Sequence, residues 1–249
     1  MTCANKDLPD RLAALIRGTS TSWVMEQQPA DWKHSAWKAQ WERYPLPCPH
    51  VLDELASEVR DHERIRRKFI FDAYRDRTPT ELFIAVMAWG LGLSNYGPSR
   101  ARRMLLQPNA GTAIEAVVNA VRQDGAAAGY STYYTEGNTL EGLNVSFITK
   151  LIHFAGYESK HRPRPLIYDN LVAAAVTRLP TAPLLPDIEY LTTTAYKRYC
   201  RWAQDTAVEH GTEPAVVEWA LFALGAEIRD ELRAERAPRR RGDRKRTDR

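Results

Sequence analysis

The stretch from Leu143 to Leu179, LNVSFITKLIHFAGYESKHRPRPLIYDNLVAAAVTRL, decides how this chain is read. It opens on an apolar helical run, carries Pro163 and Pro165 in its middle, and returns to a helical run after Asp169. Helix, proline-bearing loop, helix is the unit. The polar residues of the first helix, Ser146, Lys150, His153 and Tyr157, fall on one stripe at helical spacing. A lysine among apolar neighbours gives up hydration of its ammonium, and that loss favours the neutral, nucleophilic amine. The alternative is a stem that packs while the head reaches water. Asp169 stands at the N-cap of the second helix, where its side chain accepts backbone N–H groups and its charge faces the positive helix end.

Outward from this segment the helical period continues over most of the 249 residues, and strand alternation is almost absent. Helices are expected near 7–17, 30–43, 50–76, 79–91, 98–107, 111–123, 139–155, 169–179, 187–209 and 213–235. Pro29, Pro49, Pro79 and Pro214 stand at first turns, and Gly18 and Gly211 at helix ends. The fold class read from this pattern is all-α. No repeat of solenoid length is visible. Nor is there an apolar run long enough to span a membrane, or an apolar leader behind Met1.

The three cysteines, Cys3, Cys48 and Cys200, are far apart. That count excludes a disulfide scaffold, a cysteine-rich zinc site and a four-cysteine iron–sulfur cluster, and it points to a reducing cytoplasm. Six scattered histidines show no HxxxH spacing, so neither metal nor cofactor is expected. The net charge of +4 is unevenly distributed. Residues 233–249 hold nine Lys/Arg against three Asp/Glu, which leaves residues 1–232 slightly acidic. Such a tail lacks apolar period, reads as disordered, and either attracts polyanions or merely solubilises.

Residues 1–60 are tryptophan-rich, with Trp23, Trp32, Trp37 and Trp41 close together and Lys33 and Lys38 among them. They read as an N-terminal helical cap whose indoles pin helices to the body, or else stack on bases. The remaining divisions are a body over 61–232 and the basic tail over 233–249. The segment Trp89–Gly97, WGLGLSNYG, ends a buried helix in glycines. It is either a helix cap and loop or the lining of a pocket in which Trp89 or Tyr96 stacks on a base. Arg100, Arg102 and Arg103 follow, as phosphate contacts or as a solvated face.

Taken together, Lys150, the aspartate nineteen residues later, the block Phe83–Gly90 (FIAVMAWG), PLIYDNLVAAAV at 165–176 and EWALFALG at 218–225 carry a resemblance. The chain over about 78–225 resembles the helix-hairpin-helix DNA glycosylases, in their bacterial 8-oxoguanine DNA glycosylase-like branch. The resemblance implies a two-lobed, multi-helix globule acting as a monomer on double-stranded DNA that carries a damaged or modified base. It implies that Lys150 attacks the anomeric carbon while Asp169 assists it and stabilises the sugar cation, with β-elimination able to follow. Trp89, Tyr96, Ser146, His153 and Tyr168 would line the substrate site, and Arg100, Arg102 and Arg103 would touch the backbone. The sequence departs from that family at the hairpin. A glycine-bearing LPGVG-type turn is expected before the lysine, and GLNVSFIT stands there instead, with only Gly142 near.

Three roles follow from the resemblance: excision of an oxidised base, removal of a hypermodified base such as glucosylated hydroxymethylcytosine from phage DNA, or a non-catalytic DNA-binding module. A helical protein-interaction domain is the structural alternative, and it leaves the Lys/Asp spacing a coincidence. Where the basic tail attracts polyanions, it adds affinity without reading sequence. Deleting residues 237–249 should weaken duplex binding and flatten its salt dependence, since each phosphate neutralised contributes about 0.9 to the slope. An unchanged slope in a salt titration would show that the tail does not meet DNA.

Overall fold

The computed structural model describes residues 8–27, 32–92, 94 and 96–236, with the side chain of Arg236 left aside. The basic tail beyond it, Leu93 and Asn95 of the glycine-rich segment, Pro29 and Cys3 lie outside the described residues.

Thirteen α-helices run through the described residues, and no strand occurs among them. In chain order they are α1 (Leu8–Arg17), α2 (Thr21–Met25), α3 (His34–Arg43), α4 (His50–His62), α5 (Arg67–Tyr74), α6 (Pro79–Leu91) and α7 (Gly97–Leu105). They continue with α8 (Ala110–Asp124), α9 (Ala126–Tyr133), α10 (Val145–Gly156), α11 (Asn170–Val176), α12 (Thr193–Glu209) and α13 (Pro214–Arg236). The chain is all-α, as its periodicity dictates. None of these helices is long and apolar enough to cross a membrane.

The expected helix over 50–76 is two helices. Glu63 takes a left-handed conformation (φ 64°), ends α4, and lets the chain bend before α5. The helix α9 was not anticipated. Its sequence AAAGYSTY has no polar stripe, because Ala126, Gly129, Tyr130 and Tyr133 are buried while the rest is small. Gly129 brings it close to α8, where an added Cβ would stand 2.7 Å from the Val121 side chain. The helix expected from 139 starts only at Val145, behind Gly142 (φ 87°) and an extended Asn144.

Two groups of helices share one hydrophobic core. One gathers around α6, which meets α4, α5, α7, α8 and α10; the other gathers on α13, which meets α1, α2, α11 and α12. They join where α2 meets α5 and α12 meets α9. The Trp-rich region is divided between them, with α1 and α2 on α13, and α3 on α4 and α7. Trp32, Trp37 and Trp41 are buried, and Trp37 stacks on Trp41 at 6.0 Å, so these indoles act as anchors.

The axis of the first group is buried on every side from Leu82 to Trp89, so its ends must be satisfied internally. At its N-terminus Thr78 accepts from the Glu81 amide (3.3 Å), and the Glu81 carboxylate accepts from the Thr78 amide (3.1 Å). His50 and Arg77 add to the hold on Glu81. These contacts, the Thr78 hydroxyl foremost, bring the Glu81 carboxyl down from 4.5 to about 2. A carboxyl lowered in the folded state contributes stability above its unfolded value and loses it as the pH falls toward the folded one. Wild-type stability should therefore decline between about pH 4.5 and about pH 2, and Glu81→Gln should flatten that part of the curve. Chemical denaturation across this window measures it; parallel curves would exclude the capping carboxylate as the source.

Candidate active site

Lys150 lies in the second turn of α10, and Asp169 caps α11. Lys150 Nζ stands 3.5 Å from Asp169 Oδ2 and donates to the Ser146 carbonyl at 3.2 Å. The ammonium also sits 5.4 Å from the centre of the Phe147 ring. The other carboxylate oxygen, Oδ1, accepts from the amides of Leu171 (3.0 Å) and Val172 (3.1 Å). One oxygen fixes the helix start and the other faces the amine.

The distance between these groups is set by stitches on either side of Lys150. Thr149 Oγ1 donates to the Val145 carbonyl (2.8 Å) and accepts from the Tyr168 amide (3.1 Å). Four residues beyond Thr149, His153 Nδ1 bonds the Pro165 carbonyl at 2.9 Å, and because a carbonyl only accepts, that nitrogen carries the proton. Burial, reinforced by Arg67, holds the imidazole well below its ordinary range and therefore neutral. Both stitches tie α10 to the segment that delivers Asp169.

Between the two helical groups a cavity of about 130 Å³ opens onto this pair. Trp89 and Gly90 come from α6, Arg67 from α5, Lys150 from α10, and Trp219 and Phe222 from α13. Gly90 is required by the lysine itself. A Cβ there would lie 2.9 Å from Lys150 Cδ and 3.4 Å from Phe147. Arg67 and Glu218 are buried and paired through two bonds of 3.2 Å, linking the groups across the cavity. The guanidinium also lies 5.4 Å from the centre of the Trp89 ring. Burial raises the Glu218 carboxyl, and Arg67 pulls against it.

Of the expected site residues, Lys150, Asp169 and Trp89 share this cavity. Ser146 reaches Lys150 through its carbonyl. His153 and Tyr168 are wholly buried behind the wall; His153 packs on Phe71, Phe154 and Tyr157, and Tyr168 lies edge-on to Tyr199. Burial pushes the Tyr168 phenol up to about 12. Tyr96 is 78% exposed ahead of α7. Arg100 donates to the Gly142 carbonyl (2.6 and 2.9 Å) and stacks on Phe147 at 4.4 Å. Arg102 bonds Gln40 and lies over Tyr44, while Arg103 is exposed. Among the described residues no cluster of His, Cys, Asp and Glu could hold a metal ion.

Arg67, Glu218, Trp219 and Phe222 were not singled out from sequence. A lone carboxylate in the apolar run VVEWALFALG marks Glu218, whereas Arg67 looks like its neighbours Arg66 and Lys68.

A concave, aromatic-walled chamber between two helical groups, with an amine and a carboxylate at its edge, is the candidate binding site of this structure. The family model described as "Putative 8-oxoguanine DNA glycosylase OGG-like protein" matches residues 24–222, about four fifths of the chain, and the chain belongs to that family. The match begins well ahead of residue 78, where the sequence resemblance begins. Membership makes the chain a DNA glycosylase in the broad sense, with DNA as its substrate. No curated protein and no solved structure matches it.

The stitch at Thr149 should be measurable. Thr149→Val keeps the shape but leaves the buried Tyr168 amide without its acceptor, a loss of about 1–3 kcal/mol in urea unfolding. Thr149→Ser, which retains the hydroxyl, should recover most of it. Equal stability of the valine variant and wild type would show that the bond contributes nothing.

Proposed function

We propose that this glycosylase excises an oxidised or otherwise modified base through covalent attack by Lys150, with Asp169 as its electrostatic partner. The observation that carries the reading is the divided carboxylate of Asp169. Capping bonds pin Oδ1, so Oδ2 is held 3.5 Å from the amine without freedom to swing away.

In this reading the target nucleotide leaves the duplex and its base enters the cavity among Trp89, Trp219 and Phe222. Attack on C1′ takes the neutral amine of Lys150, its proton given up to solvent, beside an ionised Asp169. A bond forms from Nζ to C1′ and the N-glycosidic bond breaks; the base departs with the bonding pair and takes up the proton shed by the Nζ ammonium that the attack creates. While positive charge is on the sugar, the negative charge of Asp169 stabilises it. Opening of the sugar ring then gives an imine between Lys150 and C1′. From that imine either hydrolysis or β-elimination of the 3′ phosphate follows, the second cutting the strand.

Borohydride reduces such an imine and should trap a covalent adduct between the full-length protein and a susceptible duplex. Lys150→Gln should abolish trapping while duplex binding persists. Asp169→Asn should keep the cap, because asparagine caps about as well, yet slow excision by about 10²-fold or more through loss of the charge. Duplexes carrying 8-oxoguanine form the first substrate panel, and glucosylated hydroxymethylcytosine, the mark of a phage-defence role, the second. Base release by Lys150→Gln at the wild-type rate would refute the mechanism. Binding without reaction on every substrate would identify a non-catalytic DNA-binding member of the family.

A further inference from the structure

The cavity does not end the row of residues that α13 presents. Glu218, Phe222, Gly225, Arg229 and Arg233 recur every three or four residues and so share one face. The first two face the cavity. At Gly225 the start of α11 crosses, so close that an added Cβ would stand 1.9 Å from the Leu171 carbonyl oxygen. Beyond this crossing lies a second groove of about 330 Å³ between α11 and α13. Its polar lining comes from Arg178, Arg229, Arg233 and Asn170, the neighbour of Asp169, and its floor from Leu171 and Leu232. No carboxylate is among its lining residues.

The acids closest by in sequence are already matched. Asp230 pairs with Arg229 at 3.2 Å and reaches Arg233 at 3.9 Å, and Glu227 and Glu231 are both bound by Arg11. Arg178 donates one nitrogen to the Ala174 carbonyl at 2.9 Å. The side chains of Arg229 and Arg233 are 44% and 71% exposed, so their remaining donors face solvent. By contrast, the arginines at the hairpin are committed inward: Arg100 to Gly142 and Phe147, and Arg102 to Gln40 and Tyr44.

We propose that the groove between α11 and α13 is the track for the DNA backbone on one side of the extruded nucleotide, with Arg178, Arg229 and Arg233 as its phosphate contacts. The inference rests on the glycosylase reading and adds where the duplex lies. Helix rise gives the register. Arg229 is seven residues and Arg233 eleven residues beyond Phe222, or about 10 and about 16 Å along the axis. A strand presents a phosphate about every 3.4 Å of duplex axis. A strand laid along α13 therefore meets these arginines about three and about five nucleotides from the base in the cavity. Arginine suits the role because its planar fork binds phosphate bidentately.

The test uses the full chain and a duplex with one tetrahydrofuran abasic analogue, followed by fluorescence anisotropy from about 50 to about 200 mM salt. Two variants are compared with wild type: Arg229→Gln/Arg233→Gln, and the same pair with Arg178→Gln. The double variant lies on the exposed end of α13 and spares the carbonyl contact of Arg178. Its log–log salt slope should be shallower by about 2, and that of the triple variant by about 3, at about 0.9 per phosphate released. Affinity at the lowest salt should fall at least about tenfold. Methylphosphonate substitution three to five nucleotides from the analogue on one side should reproduce the loss in wild type and add nothing in the variants. Wild-type slope and affinity in both variants would overturn the track, and retained borohydride trapping would leave the glycosylase reading standing. A wild-type chain that neither binds the duplex nor traps on any substrate would remove both.

Discussion

The carboxylate of Asp169 is held by one oxygen and presented by the other. Its capping bonds to Leu171 and Val172 start α11, and the direction of α11 fixes where it crosses α13. That crossing is tight enough to require glycine at position 225. The same carboxylate is the anion that meets Lys150. A helix cap is among the most rigid settings available to an aspartate, since the backbone amides it satisfies have no other partner in the helix. Here that local rule orients both a helix and the carboxylate oxygen that faces Lys150.

Around this point the two helical groups are tied by different kinds of contact. Thr149 and His153 stitch α10 to residues 165–168 with hydrogen bonds that are short in space and modest in sequence separation. Arg67 and Glu218 join α5 to α13 through a buried ion pair. Such pairs contribute little net stability when intact, but removing one partner strands a buried charge at about 3–5 kcal/mol. The pair therefore acts as a constraint on how the groups meet, and the cavity is bounded by that constraint. Trp89 lies against Arg67 on one side and Phe154 on another, so the cavity wall is continuous with the core.

The charge on this protein is arranged by commitment as much as by sign. Arginines of α7 that look free in sequence hold the hairpin carbonyl at Gly142 and lie on aromatic rings. Burial and the nearby Arg103 lower the Arg100 guanidinium from its ordinary value, as expected of a cation used inside the structure. The hairpin departs from the glycine-rich turn of the resembling enzymes, and its one left-handed glycine serves the fold through that carbonyl. Arg229 and Arg233, toward the end of α13, keep donors outward, and Arg178, just beyond α11, lies beside them along the same groove.

What could be read from the sequence was what neighbouring residues decide. Helical period, the cap at Asp169 and the polar stripe of α10 are set within a few turns, so the all-α class and the cap were legible from the residues. The pairing of Lys150 with Asp169, a 3.5 Å contact in the structure, was expected from the family resemblance. Even the failures at this level are local in origin. Glu63 adopts a left-handed conformation that no residue type announces, and α9 lacks the polar face by which a helix is recognised. The tertiary structure alone decided the rest. It sent His153 and Tyr168 into the core, turned Arg100 and Arg102 inward, and joined Arg67 to a glutamate 151 residues away. Arg66, Arg67 and Lys68 are alike as chemical groups along the chain. Only the packing of α5 against the rest of the core determines which of them loses its water, and a buried cation must then have an anion brought to it.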